Sequence, residues 1–263
     1  MRRKTAAICR ATDEVLCVSI PKIIHYCWFG GGPIGEADRK CMESWKKYCP
    51  DYKIIEWNEQ NFEISANRYA QQAYEAKRYA FVSDYVRLAV LYRYGGIYLD
   101  TDVELVKPLD ELLELPGFMG FQTNNEVATG LGFGARKGNS VVQALLRDYD
   151  ALDFLKADGS ADLTPCPERN TRVLQALGVR VDGTRQSIAE MEIFPAEYFC
   201  PMDFYSRELR VTPKTYSIHR YAESWKPKPS AVSRILQRLL KKHYYTWYCP
   251  LRGRIEGRLR KRT

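Results

Sequence analysis

Apolar positions along this chain recur in two rhythms, and their order predicts the architecture. "IPKIIHYCWFG" (20–30) is a nearly unbroken apolar run entering a glycine-rich loop, "GGGPIG", as a buried strand does. In the next stretch Cys41, Met42, Trp45 and Tyr48 recur at intervals of about three and four, which predicts a helix with one face in the core. "YKIIEWN" (52–58) predicts a second short strand. A chain that opens β–loop–α–β predicts an α/β sandwich around a mostly parallel central sheet.

The clearest helical segment is "AYEAKRYAFVSDYVRLAVLYRYGG" (73–96), which has almost no polar face and is therefore expected to be buried. Gly95 and Gly96 supply the left-handed conformation that stops it. "IYLD", "VELVKPL", "GFMGFQ" and "LGFGAR" predict strands, and "SVVQALLRDYDALDFLK" and "RNTRVLQALG" predict helices. "KTYSIHRYAESW" predicts a late strand running into a loop. Near the end, Val232, Ile235, Leu236, Leu239 and Leu240 make one apolar stripe on a basic helix. The economical division is one domain over 1–225 and a basic amphipathic tail over 226–263.

Charge sharpens that division. Residues 226–263 hold twelve Lys or Arg against one acid, a net +11, whereas the preceding 225 hold 28 basic and 31 acidic residues, a net −3. Such a tail suits an anionic membrane surface; a solubilising end is the plain alternative. No apolar run reaches the length of a membrane-spanning helix. The basic start is followed by Arg10, Asp13 and Glu14, which break up the apolar core a signal peptide needs, so a non-secreted chain is expected. Eight cysteines without a CxxC spacing predict free thiols in a reducing compartment.

The candidate chemistry lies in "YGGIYLDTD" (94–102). Asp100 and Asp102 follow a predicted buried strand, and in open α/β sheets ligands bind beyond the carboxyl ends of strands. Two residues apart on an extended backbone, both carboxylates point to one side, and a divalent cation such as Mn²⁺ or Mg²⁺ relieves their repulsion. A solvated turn is the competing reading. A second triplet, "DYD" at 148–150, falls on a helical pattern that turns its carboxylates apart and reads as a solvated face. Ahead of the first triplet, Asp84 and Arg87 stand one turn apart in the apolar helix, where ionised groups must be paired with each other or engaged with a ligand. "FQTNNEVATGLGFGARKGNS" (121–140) is expected to line a ligand pocket, and within it Asn124, Asn125 and Glu126 follow a strand in a loop suited to recognition, with an ordinary turn as the competing reading.

Taken together, Ser83, Asp84, Arg87, Gly95, Gly96, Tyr98, Asp100, Asp102 and Pro108 resemble the S-D-x-x-R … G-G-x-Y-x-D-x-D … P signature of the DXD-containing sugar transferases. That glycosyltransferase family 32-like group includes capsular polysaccharide transferases, fungal α-mannosyltransferases and, distantly, glucosylating toxins. "IPKIIHYCWFGG" is similar to its first strand and "IHRYAESW" to its late His and Ser-Trp element. The resemblance implies a GT-A type fold, a nucleotide-sugar donor (UDP-sugar ahead of GDP-sugar), Mn²⁺ or Mg²⁺, and transfer with retention. It implies that Trp28 stacks on the base and that Tyr98, in the signature, lies with the donor; the 121–140 stretch would then line the donor-sugar or acceptor pocket, which puts Asn125 with the donor. Asp84 and Arg87 would act on the donor sugar and diphosphate, and Asp102, Asp100 and His219 would hold the metal, with Asp100 also reaching the ribose. Ser224 and Trp225 would close over the phosphates.

The expected role is surface-polysaccharide synthesis on a glycan or lipid-linked acceptor, at the cytoplasmic face of a membrane, without nucleic acid. Two other classes compete: a Mg²⁺-dependent protein of nucleic-acid phosphodiester chemistry, and a nucleotide-sugar binder without turnover.

Overall fold

The structure, a computed structural model, describes residues 19–203 and 206–222. The basic tail, Ser224 and Trp225 lie outside the described residues.

The chain opens with β1 (Ile23–Cys27), α1 (Glu36–Tyr48) and β2 (Lys53–Trp57), at the places the apolar pattern predicts. The long helical segment is instead two helices, α2 (Arg68–Glu75) and α3 (Tyr79–Tyr94). The break falls at Lys77, whose φ of 54° no α-helix accommodates. Asn67 caps α2 by accepting from the Ala70 N–H. Gly95, at φ 67°, ends α3, and Gly96 begins β3 (Gly96–Tyr98) at φ 108°. A Cβ at Gly96 would stand 2.8 Å from the Ile23 carbonyl, so this approach of β3 to β1 needs glycine.

The remaining elements are β4 (Val103–Leu105), β5 (Gly117–Phe121), β6 (Val127–Ala128), β7 (Phe133–Ala135), α4 (Ser140–Asp150) and α5 (Cys166–Ala176). After them come β8 (Gln186–Ile188), β9 (Met191–Phe194), the short α6 (Ala196–Phe199) and β10 (Ser217–His219). Helix α4 stops at Asp150, short of the predicted "LDFLK" end, and α5 begins three residues earlier than "RNTRVLQALG".

The main sheet runs β2-β1-β3-β7-β5-β9-β8, with β6 beside β5. Following the pairings, β2, β1, β3, β5 and β9 point one way, while β7, β6 and β8 oppose them. The sheet is thus largely parallel, as expected, with one antiparallel strand set into its middle. A separate antiparallel pair joins β4 to β10.

Alternate strand residues feed two cores. Tyr98, Phe121 and Phe133 pack with Val82, Val86, Leu88 and Leu91 of α3 on one face. Ile24, Ile97 and Phe118 pack with Trp45 and Phe199 on the other. Trp45 is fully buried and its Nε1–H donates to the Val103 carbonyl at 2.7 Å, which ties α1 to the start of β4. No helix among the described residues is long and apolar enough to cross a membrane.

Candidate functional site

The site grows from the carboxyl end of β3. The Val103 N–H donates to the Asp100 carbonyl at 3.0 Å, so residues 100–103 form a turn rather than extended strand. The turn still brings the two carboxylates to one place. Antiparallel β10 sets His219 opposite Val103, and its Nε2 lies 3.2 Å from Asp102 Oδ1. Ligand atoms of Asp100, Asp102 and His219 all fall within 4.8 Å of one another. Asp102 Oδ2 also accepts the Ala222 N–H at 2.7 Å.

Behind this trio stands Arg87. Its Nη1 is 3.1 Å from Asp84 Oδ1 and its Nη2 is 3.0 Å from Asp100 Oδ1. Its guanidinium lies 5.0 Å from the centre of the Tyr98 ring, and the Tyr98 hydroxyl donates to Asp100 Oδ1 at 3.0 Å. Asp84 and Arg87 pair internally, and the pair also reaches the Asp100 carboxylate beside the sheet edge. Nη1 also faces Thr129 Oγ1 at 3.4 Å and Cys166 Sγ at 3.5 Å, and Asn170 donates to that threonine at 3.1 Å. Gly130 leans over the carboxylate: a Cβ there would stand 2.1 Å from Asp100 Oδ2.

Burial sets the electrostatics. It raises the Asp84 carboxyl to about 6 despite Arg87, and raises Asp100 as well, with Asp102 adding to the push. Burial also acts upward on Asp102, but His219 and the Ala222 N–H outweigh it and hold that carboxyl at about 2. Burial works against charge on His219, and Asp102 overcomes it, so the imidazole is held above its ordinary range. Burial opposes the Arg87 charge too; Asp100, Tyr98 and Asp84 keep it.

The trio fits a divalent cation. Two carboxylates and an imidazole are the donor set of a hard to borderline ion such as Mn²⁺. The Nδ1 of His219 is buried and makes no hydrogen bond, so the ring has a polar atom still to satisfy.

Of the residues named from sequence, Asp84, Arg87, Tyr98, Asp100, Asp102 and His219 meet here. Tyr98 is only 1% exposed and its hydroxyl is engaged by Asp100, so it braces that carboxylate and does not itself present a surface to a donor. Trp28 leaves the sheet at the same edge, since β1 runs parallel to β3 with His25 level with Tyr98. Its Nε1–H donates to the Gly32 carbonyl at 2.6 Å, within its own loop. Asn125 is exposed in the β5–β6 turn at φ 63°, with its side chain against Gly183, and makes no contact with the trio. Sequence reasoning missed Cys166 and Asn170, and it covered Thr129 and Gly130 only as part of the 121–140 stretch, without their contacts to Arg87 and Asp100. The glycines of "ATGLGFG" are the one local hint of a close backbone approach. It missed Asp38 as well, buried on α1 beside the turn, where burial and the charge of Asp102 raise its carboxyl.

Residues 35–118 match the family described as "Glycosyltransferase sugar-binding region containing DXD motif". The chain is 29% identical over 147 residues to inositol phosphoceramide mannosyltransferase 3 of Schizosaccharomyces pombe, covering 52% of this chain and 39% of that protein. It is 28% identical over 148 residues to the human alpha-1,4-N-acetylglucosaminyltransferase, covering 56% and 38%. The matches thus span about two fifths of either relative. Among solved structures, the PaToxG glycosyltransferase aligns with 60% of this chain and 69% of its own, at 21% identity and a TM-score of 0.45.

Proposed function

We propose that this chain, which carries the DXD-containing sugar-binding region of the glycosyltransferases over residues 35–118, transfers a hexose from a nucleotide-sugar donor to a hydroxyl acceptor. The observation that carries the reading is the convergence of Asp100, Asp102 and His219 at the sheet edge, with Arg87 and Asp84 directly behind.

Asp102, Asp100 and His219 would hold the divalent cation, Mn²⁺ or Mg²⁺. When bound, that cation neutralises the charge that grows on the departing nucleoside diphosphate. The chain's own residues do the rest. Tyr98 and Arg87 fix one oxygen of Asp100, and the other lies against Gly130. Asp102 is aimed by the Ala222 N–H, and the His219 ring beside it would exchange its contact with Asp102 for the cation. The Asp84 carboxylate and Arg87 guanidinium are locked by each other, so their remaining polar edges meet a sugar hydroxyl or phosphate oxygen without further ordering. Trp28, at the same edge, offers a ring face for the base. Ser224 and Trp225 complete the proposal as a cover over the phosphates.

The sugar is a hexose or hexosamine, in keeping with the mannosyl and N-acetylglucosaminyl names of the two relatives. The donor is a UDP-sugar ahead of a GDP-sugar, the stereochemical course is retention, and the acceptor is a glycan or lipid-linked sugar of a surface polysaccharide. The ceramide in the fungal relative's name supports a lipid-linked acceptor. The basic tail would hold the enzyme on an anionic membrane at its cytoplasmic face.

The test is a screen of UDP- and GDP-sugars for Mn²⁺-dependent release of the nucleoside diphosphate. Release from at least one donor that stops with chelator supports the proposal. Metal-dependent nucleotide binding without release would leave a binding protein, and neither would remove the transferase reading.

A further inference from the structure

A cavity of about 380 Å³ opens beside Asp102, between α1, β4 and the residues after β10. Its volume is in the range of small-ligand sites, about 300–1,000 Å³. Asp38, Cys41, Asp102, Glu104, Arg220 and Ala222 are among its lining residues.

The charges around it are accounted for, with one exception. Glu104 pairs with Arg220, Lys40 on the rim pairs with Glu36 at 2.8 Å, and both oxygens of Asp102 have partners. Asp38 is 7% exposed and has no hydrogen-bond or ion-pair partner among the described residues. With most of the residue packed away and no protein donor on its oxygens, the carboxylate is left to the cavity, where only water or a ligand can supply donors. Its place in the first turn of α1 gives it some help from the helix N-terminus, but its side chain does not close a cap.

The geometry narrows what could satisfy it. A second metal ion needs converging ligand atoms, and the described residues bring together only Asp100, Asp102 and His219. A phosphate would face Asp38, Asp102 and Glu104. Neutral hydroxyl donors fit: a carboxylate accepts two O–H groups side by side, as a vicinal diol on a sugar ring presents them.

We propose that this cavity is a sugar-diol subsite in which Asp38 accepts the hydroxyls of a ring held next to the Asp102 turn. The ring is either the ribose of the nucleotide or the acceptor sugar, and the subsite rests on the transferase reading.

Calorimetry on the full chain with Mn²⁺ tests the first source, using UDP and GDP against their 2′-deoxy counterparts. Parent protein should favour the ribonucleotide about tenfold, the size of one charge-assisted hydrogen bond, and Asp38→Asn should reduce that preference below about threefold with Mn²⁺ affinity unchanged. The second source is read by turnover: methyl α-mannoside should stimulate nucleotide-sugar consumption, and Asp38→Asn should cut the stimulation about tenfold while hydrolysis in water holds. Either loss supports the subsite and says which ring occupies it. If Asp38→Asn and Asp38→Ala alter only the melting temperature, leaving both selectivities intact, Asp38 merely serves the helix N-terminus and the proposal is overturned. If parent protein binds no nucleotide with metal, the transferase reading fails first, and the subsite with it.

Discussion

Two buried polar assemblies sit at opposite ends of β3, and they are built differently. At the start, His25 is fully buried yet completely satisfied. The Trp57 Nε1–H donates to its Nδ1 at 3.0 Å, which leaves the proton on Nε2 to donate to the Gly95 carbonyl at 2.9 Å. The ring is neutral, and burial lowers its pKa to about 4. At the far end, Asp84, Arg87, Asp100, Asp102 and His219 concentrate charge, and buried polar atoms nearby lack partners: Arg87 Nε, Asn170 Oδ1 and His219 Nδ1. The first assembly is closed, as a structural one should be. The second is charged and incompletely satisfied, which a fold tolerates where a ligand completes it.

Breaking the second assembly at its metal edge gives the largest expected effect. Asp102→Ala should lower metal-dependent turnover by about a hundredfold or more, and should lower the metal-free melting temperature as well, because it strands the His219 ring and the Ala222 N–H. Steady-state kinetics and calorimetric melting of the two proteins check this. Removing Arg87 strikes the other side. Arg87→Ala strands two carboxylates and should cost about 3–5 kcal/mol in urea unfolding. Arg87→Lys should restore only part, since one ammonium cannot reach Asp84 and Asp100 in the same fork.

Gly130 gives a smaller and more specific break. Gly130→Ala should push Asp100 out of place and cost about 1–3 kcal/mol, whereas in an Asp100→Ala background the same change should be nearly free. Equal costs in both backgrounds would show that the alanine clashes elsewhere.

The smallest effects are opposed pH slopes. An unfolded His25 takes a proton near 6.5 and the folded ring refuses it until about 4, so its contribution is full above pH 6.5 and is lost as pH falls through that window. Asp84 has the reverse sign. Its folded carboxyl holds a proton up to about 6 against 3.8 unfolded, so its contribution is full below 3.8 and is lost as pH rises. Between pH 4 and 6, His25→Gln should flatten a rise in stability with pH, and Asp84→Asn should flatten a fall, each on the order of 2 kcal/mol. Unfolding series at several pH values separate the two.

What was legible in the sequence follows the range of the interactions. Strands β1 and β2, helix α1 and the apolar α3 announce themselves because their periodicity is local. Asp84, Arg87, Asp100 and Asp102 were legible for the same reason: all lie within one helix–strand unit. The α2–α3 break was not, because Lys77 carries no glycine or proline signal for its left-handed turn. The β8–β9 hairpin was missed because its strands are three and four residues long and polar at Gln186, Ser187 and Glu192. Thr129 and Cys166 reach Arg87 from 42 and 79 residues away, Asn170 reaches that threonine from 41, and Asp38 reads from sequence only as an acid in a helix's first turn. Tertiary contact, which no local pattern encodes, makes these part of the site.

The central claim, a divalent cation held at the β3 edge, is tested most directly by anomalous diffraction from crystals grown with Mn²⁺ and a nucleoside diphosphate. The account predicts a manganese peak within bonding distance of Asp102 and His219, with Asp100 alongside. A well-occupied peak elsewhere, with the Asp102–His219 pair undisturbed, would contradict it.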